Sequence, residues 1–128
     1  MACIIGTGAV WSNRNTLTIG NHGARSQLII SNGADVFCST GIVGSVASSS
    51  NNTVLVTGSG SVWQNSGELD LGYAGCSNSL TVANSGAVLA PNMVVGVSAG
   101  SSLNLMTISG GSLTVTNAPG NRAVARSS

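Results

Sequence analysis

Few side chains in this sequence could carry out chemistry. His22 is the only histidine among 128 residues, and Asp35, Glu68 and Asp70 are the only acids. No carboxylate lies near His22 in sequence, so no Ser-His-acid set can be assembled around it despite the many serines. Its setting, Asn21-His22-Gly23, reads as a solvated turn. Glu68 and Asp70 are two residues apart, which on a strand puts both on one face. Such a pair could bind Ca²⁺ weakly or act as acid and base, as acidic clusters do in polysaccharide lyases. A 26-residue shift surrounds them with Ile42, Gly44, Val94 and Gly96, offering no third acid and no arginine. They therefore read as solubilising charges, and so does Asp35. The three cysteines, Cys3, Cys38 and Cys76, cannot all pair with one another and have no metal-ligand spacing. Glycine-rich pieces such as Gly58-Ser59-Gly60 lead into no helix, so they read as corners and not as phosphate loops. Asn51-Asn52-Thr53 is a glycosylation sequon, with Asn51 the residue to carry a glycan. No catalytic residue, cofactor or metal is expected.

The bulk composition excludes further classes. Charged residues make up 5% of the chain, the net charge is +1, and there is no lysine. Arg14, Arg25, Arg122 and Arg126 form no cluster able to neutralise a row of phosphates, so nucleic acid is not an expected partner. No apolar run is long enough for a membrane-spanning helix, so no membrane insertion is expected. The opening residues Met1-Ala2-Cys3-Ile4-Ile5 lack the three regions of a signal peptide. Apolar residues nevertheless make up 42% and recur at intervals, so a core can form.

The recurrence is a repeat. Shifting the chain by 52 aligns residues 6–57 with 58–109 without a gap and gives 17 identities, among them Val10-Trp11/Val62-Trp63 and Gly20/Gly72. A shift of 26 subdivides the unit. Ile4, Ile30, Val56, Val82 and Ile108 form one apolar column, and Leu28, Val54, Leu80 and Met106 a second. Val10, Val36, Val62 and Val88 form a third, and Leu17, Val43, Leu69 and Val95 a fourth. Ser26, Asn52, Asn78 and Asn104 form a polar column, and Trp11, Phe37, Trp63 and Leu89 a bulky one. The last unit keeps the pattern only with one residue deleted near Ser112, which places Leu113 under Val88.

Each unit holds three short segments of alternating character. In the third unit these are 53–57, 61–64 and 68–71, separated by Gly/Asn/Ser turns. This predicts an all-β parallel solenoid (β-helix) of about five 26-residue turns, each with three strands. The whole of 1–128 is one domain, with turns near 1–25, 26–51, 52–77, 78–103 and 104–128. Equivalent strands then stack about 4.8 Å apart. Apolar columns fill the interior, and Asn52, Asn78 and Asn104 form an amide ladder along the axis. Because Val10, Val36, Val62 and Val88 precede the bulky column, only one of those two columns can face inward. Bulk assigns Trp11, Phe37 and Trp63 to the core as a stacked aromatic column. Facing outward, they would be a strip for sugar rings. An ordinary β-sandwich needs neither the fixed register nor the Asn column.

With the repeats laid out, Ser50–Trp63, Leu71-Gly72-Tyr73-Ala74-Gly75 and Asn78–Asn84 resemble autotransporter-type (passenger-associated) β-solenoid repeats of bacterial surface and secreted proteins. The resemblance covers most of residues 4–117. It implies a passive stalk, adhesin or fibre, extracellular or at the cell surface, with surface glycans as the candidate ligands. The function expected is a non-enzymatic structural subunit or segment that stacks head to tail with copies of itself. Neither end shows a cap: the first turn opens on Cys3-Ile4-Ile5, and Arg122–Ser128 has no amphipathic helix. Five turns of 26 nearly equal the chain length, so one copy could continue the register of the next. The alternatives are a carbohydrate-binding or ice-binding module, for which Thr114 and Thr116 hint at a threonine row, and a polysaccharide lyase-like β-helix.

Overall fold

The computed structural model describes residues 1–116. Among them are fourteen strands and no helix, hence none long and apolar enough to cross a membrane. Sheet A holds β1 (Ala2–Ile5), β4 (Gln27–Ser31), β7 (Thr53–Thr57), β10 (Ser79–Ala83) and β13 (Leu105–Ser109), in that order. Sheet B holds β2 (Val10–Ser12), β5 (Asp35–Cys38), β8 (Val62–Asn65), β11 (Ala87–Ala90) and β14 (Ser112–Val115). Sheet C holds β3 (Leu17–Ile19), β6 (Gly41–Val43), β9 (Glu68–Leu71) and β12 (Asn92–Val95). All these pairings are parallel. The chain visits A, B and C in rotation, which makes a three-sided β-solenoid of about four turns.

Why strands of three to five residues suffice follows from their alternation. In β4, β7 and β10 every second residue is buried, so each strand contributes two side chains to a shared interior. A single turn buries almost nothing by itself; stacked turns bury one continuous core. In sheet A, Ile4, Ile30, Val56, Val82 and Ile108 lie side by side, 26 residues apart at each step. Leu28, Val54, Leu80 and Met106 form the parallel row. The central members of both rows are almost wholly buried.

Sheets B and C do not keep the 26-residue step. In sheet B, Trp11 pairs with Val36, Val36 with Trp63, Trp63 with Val88 and Val88 with Leu113. The stacked aromatic column Trp11/Phe37/Trp63 is therefore not formed. Phe37 pairs with Ser12 and Gln64 on the outer face, and the interior column alternates Trp, Val, Trp, Val. In sheet C, Leu17 pairs with Gly41, Gly41 with Leu69 and Leu69 with Met93. The row Leu17/Val43/Leu69/Val95 is likewise two interleaved rows, since Val43 pairs with Ile19 and Leu71.

The physical reason is corner length. The A-to-B corner has four residues in the first and third turns (6–9, 58–61) and three in the second and fourth (32–34, 84–86). The C-to-A corner is shorter after β3 and β9 (20–26, 72–78) than after β6 and β12 (44–52, 96–104). The differences cancel by the time the chain returns to sheet A. Sheet A thus sees a 26-residue period, whereas sheet C and the first four strands of sheet B repeat every 52; the last step in sheet B, from Val88 to Leu113, is 25 residues. A one-residue slip exchanges inner and outer faces, which is how Phe37 leaves the core.

The alternation fills space. Trp63 is fully buried, and its indole occupies volume that a side chain at position 41 would need. A Cβ at Gly41 would lie 2.8 Å from Trp63 Cζ2, 2.8 Å from Leu69 Cδ1 and 2.6 Å from Asn65 Oδ1. Around Gly41, the large Trp63 and Leu69 of the third turn meet the small residue of the second, as interiors at close-packed density require. Expectations that involve Arg122–Ser128 lie outside the described residues.

Candidate functional site

Polar side chains concentrate in three places. The first is the C-to-A corner. Asn52 and Asn78 are fully buried, and each amide oxygen serves the turn before it. Asn78 Oδ1 accepts both the backbone N–H and the Nδ2 of Asn52, at 2.9 Å each. Asn104 Oδ1 likewise accepts the N–H of Asn78 at 2.9 Å and its Nδ2 at 3.1 Å. At the first turn, Asn52 Oδ1 accepts the Ser26 N–H at 2.7 Å. Asn104 ends the series by donating to Gly75 O and Ser101 Oγ. Glycines make room for the ladder: a Cβ at Gly44 would come within 2.2 Å of Asn78 Nδ2, and one at Gly72 within 2.1 Å of Asn104 Nδ2. The ladder is structural; its atoms are consumed by one another.

The second place is inside sheet B. Cys38 Sγ donates to Asn65 Oδ1 at 3.0 Å, and Asn65 Nδ2 donates to Leu89 O at 3.3 Å. Burial pushes the Cys38 thiol up. A protonated, enclosed thiol is a packing residue and not a nucleophile. Cys3 is exposed and Cys76 partly so, and all three thiols are free.

The third place is the outer face of sheet C. Leu69 and Leu71 point inward, so Glu68 and Asp70 project outward as the alternation requires. Their neighbours differ from those given by a 26-residue shift. Asp70 lies between Ile42 and Val94, and Glu68 beside Asn92. Glu68 is exposed, but Asp70 is only 3% exposed, so it is no solubilising charge. Burial pushes its carboxyl up to about 7, assisted by hydrogen bonding to Glu68 and by that residue's charge. Asp70 Oδ1 and Asn92 Oδ1 are both buried without a hydrogen-bond partner. Asn92 carried no signal in a 26-residue alignment; the 24-residue step of sheet C brings it to Glu68.

Other candidates stay apart from these groups. His22 is exposed at its corner, where its carbonyl accepts a hydrogen bond from Ser48 Oγ at 3.3 Å. Asp35 pairs with Val10 and Val62. Asn51 is exposed beside the buried Asn52. Among the described residues no three His, Cys, Asp or Glu side chains come together.

Fold and polar groups together define a parallel β-solenoid with an internal asparagine ladder. Comparison with protein-family models, curated proteins and solved structures gave no match for this chain.

Proposed function

We propose that this solenoid is a non-enzymatic structural module, a segment of an extracellular fibre or surface stalk that extends by end-to-end stacking. One observation carries the reading: the first turn is built like an internal turn. Among the described residues, strands β1, β2 and β3 each pair on one side only. Between them opens a concavity of about 250 Å³, lined by Ala2, Trp11, Leu17, Ile19 and Leu28. These are members of the columns that deeper turns bury, so the end offers both unpaired strand edges and an apolar floor. A turn with the same columns fits such an end, adding backbone hydrogen bonds and burying the floor together. The low charge of the chain favours this stacking, because like-charged turns would repel. The resemblance to autotransporter-type repeats supports an extracellular or surface setting. The sugar-binding alternative loses its stacked aromatic strip, since Phe37 has Ser12 and Gln64 as neighbours.

The test is Ala2→Lys, which places a charge at the rim of the concavity where the free chain can keep it solvated. Negative stain should show fibres for the parent chain and none for the variant, with an unchanged β circular dichroism spectrum. Fibres of undiminished number and length would show that this end is not the contact.

A further inference from the structure

Glu68, Asp70 and Asn92 form an arrangement that the core does not require. All three project from the outer face of sheet C, because the residues between and after them, Leu69, Leu71 and Met93, are buried inward. Glu68 and Asn92 are direct cross-strand partners, so their side chains emerge a few ångströms apart. Asp70 follows two residues on along the same face. Its sheet neighbours are Ile42 and Val94, whose side chains offer it no hydrogen bond.

Two acid groups alone would not make a site. The second observation is the pair of orphan oxygens: Asp70 Oδ1, on a side chain 3% exposed, and Asn92 Oδ1 are both buried without any donor. Buried acceptors are rarely left unpaired. A proton shared between Glu68 and Asp70 would ease the repulsion of the two carboxylates, yet it would leave the Asn92 oxygen unsatisfied. A cation meets every need at once, neutralising the acids and taking both orphan oxygens as ligands.

We propose that Glu68, Asp70 and Asn92 hold a calcium ion on the outer face of the solenoid. The donors are all oxygens, two of them carboxylates, which suits a hard cation. Calcium accepts the irregular geometry of a sheet face and fills its remaining positions with water, whereas magnesium demands a near-ideal octahedron. Glu68, exposed, is the route by which the ion arrives. With three protein side chains the affinity falls in the weak extracellular range, roughly 10⁻⁴–10⁻³ M. The proposal is independent of end-to-end stacking.

Isothermal titration of the full chain at pH 8 with calcium chloride, and in parallel with magnesium chloride, tests it. Saturable binding of one calcium per chain is expected, with magnesium at least tenfold weaker. Asp70→Asn should weaken calcium about tenfold or more and Asn92→Leu severalfold; Glu68→Gln, at an exposed position, gives a third reading if either of the other variants fails to fold. The thermal midpoint of the parent chain should rise with calcium, and that of Asp70→Asn should not. No saturable binding, equal binding of magnesium, or calcium binding unchanged in the folded variants would each overturn the proposal.

Discussion

Asn78 Oδ1 receives two hydrogen bonds from one residue, Asn52, through its backbone N–H and its side-chain Nδ2, both at 2.9 Å. The pair sits at a corner, where the chain leaves sheet C and re-enters sheet A. The Asn52 N–H is bonded by this amide and not by a backbone carbonyl, so without the amide it would be buried and unpaired. Because the same arrangement recurs 26 residues on between Asn78 and Asn104, each turn restarts at a fixed height. The corner lengths elsewhere are thereby free to vary.

Asn78→Leu removes the acceptor for Asn52 and the donor to Asn104. Each orphaned buried group is worth about 1–3 kcal/mol, so the variant should lose roughly 2–4 kcal/mol in urea unfolding. Asn51→Ala, at the exposed neighbour, should change stability by under about 0.5 kcal/mol.

Gly41→Ala places a methyl against Trp63, Leu69 and Asn65. Overpacking of this kind costs about 1–3 kcal/mol. Combined with Trp63→Leu, which on its own opens a cavity, it should show a favourable coupling in a double-mutant cycle. Strict additivity would mean that Gly41 is not there to make room for the indole.

The 52-residue period has a constructive test. Duplicating residues 27–78 inserts one odd and one even turn and preserves the Trp/Val and Gly/Leu alternation. The longer chain should melt several degrees higher, as added repeats contribute interfaces. Duplicating residues 27–52 stacks Val36 on Val36 and Gly41 on Gly41, leaving a cavity. That chain should be less stable than the first, by about 2 kcal/mol or more.

Asp70 makes stability fall as pH rises. Its carboxyl is raised from the ordinary carboxylate range to about 7 in the fold. The stability this group contributes is thus fully present below about pH 4 and is lost as pH rises through 7. Glu68 is the charged group that faces it; Ile42 and Val94, on either side in the sheet, carry no charge. In chelator, thermal midpoints should drop between pH 5 and pH 8. Asp70→Asn should flatten that slope and stabilise the chain at pH 8 by about 2–4 kcal/mol, each pKa unit being worth ~1.4 kcal/mol. An equal slope in both proteins would assign the titration to another group.

Much of this fold is legible in the sequence, and the residues that are not share one cause. Sheet A and the Asn ladder obey the 26-residue period because the ladder resets the register once per turn, so Ile30, Val56 and Val82 can be aligned by counting. Sheets B and C follow corners of compensating length, which a fixed shift cannot register. A 26-residue shift therefore aligns Phe37 with Trp11 and Trp63, although its strand is displaced by one residue and turns it outward. For the same reason Asn92, 24 residues beyond Glu68, does not appear beside it in the alignment, and Asp70 reads as an exposed charge when its flanking Ile42 and Val94 bury it. The 52-residue identities, which pair Trp11 with Trp63 and Gly20 with Gly72, already carry the correct period for those sheets.

End-to-end stacking of the solenoid is open to sedimentation velocity and negative-stain imaging of the purified full chain. Species whose size grows with concentration are expected, imaged as unbranched fibres one solenoid wide. A single monodisperse monomer boundary at high concentration, with no fibres on the grid, would contradict it.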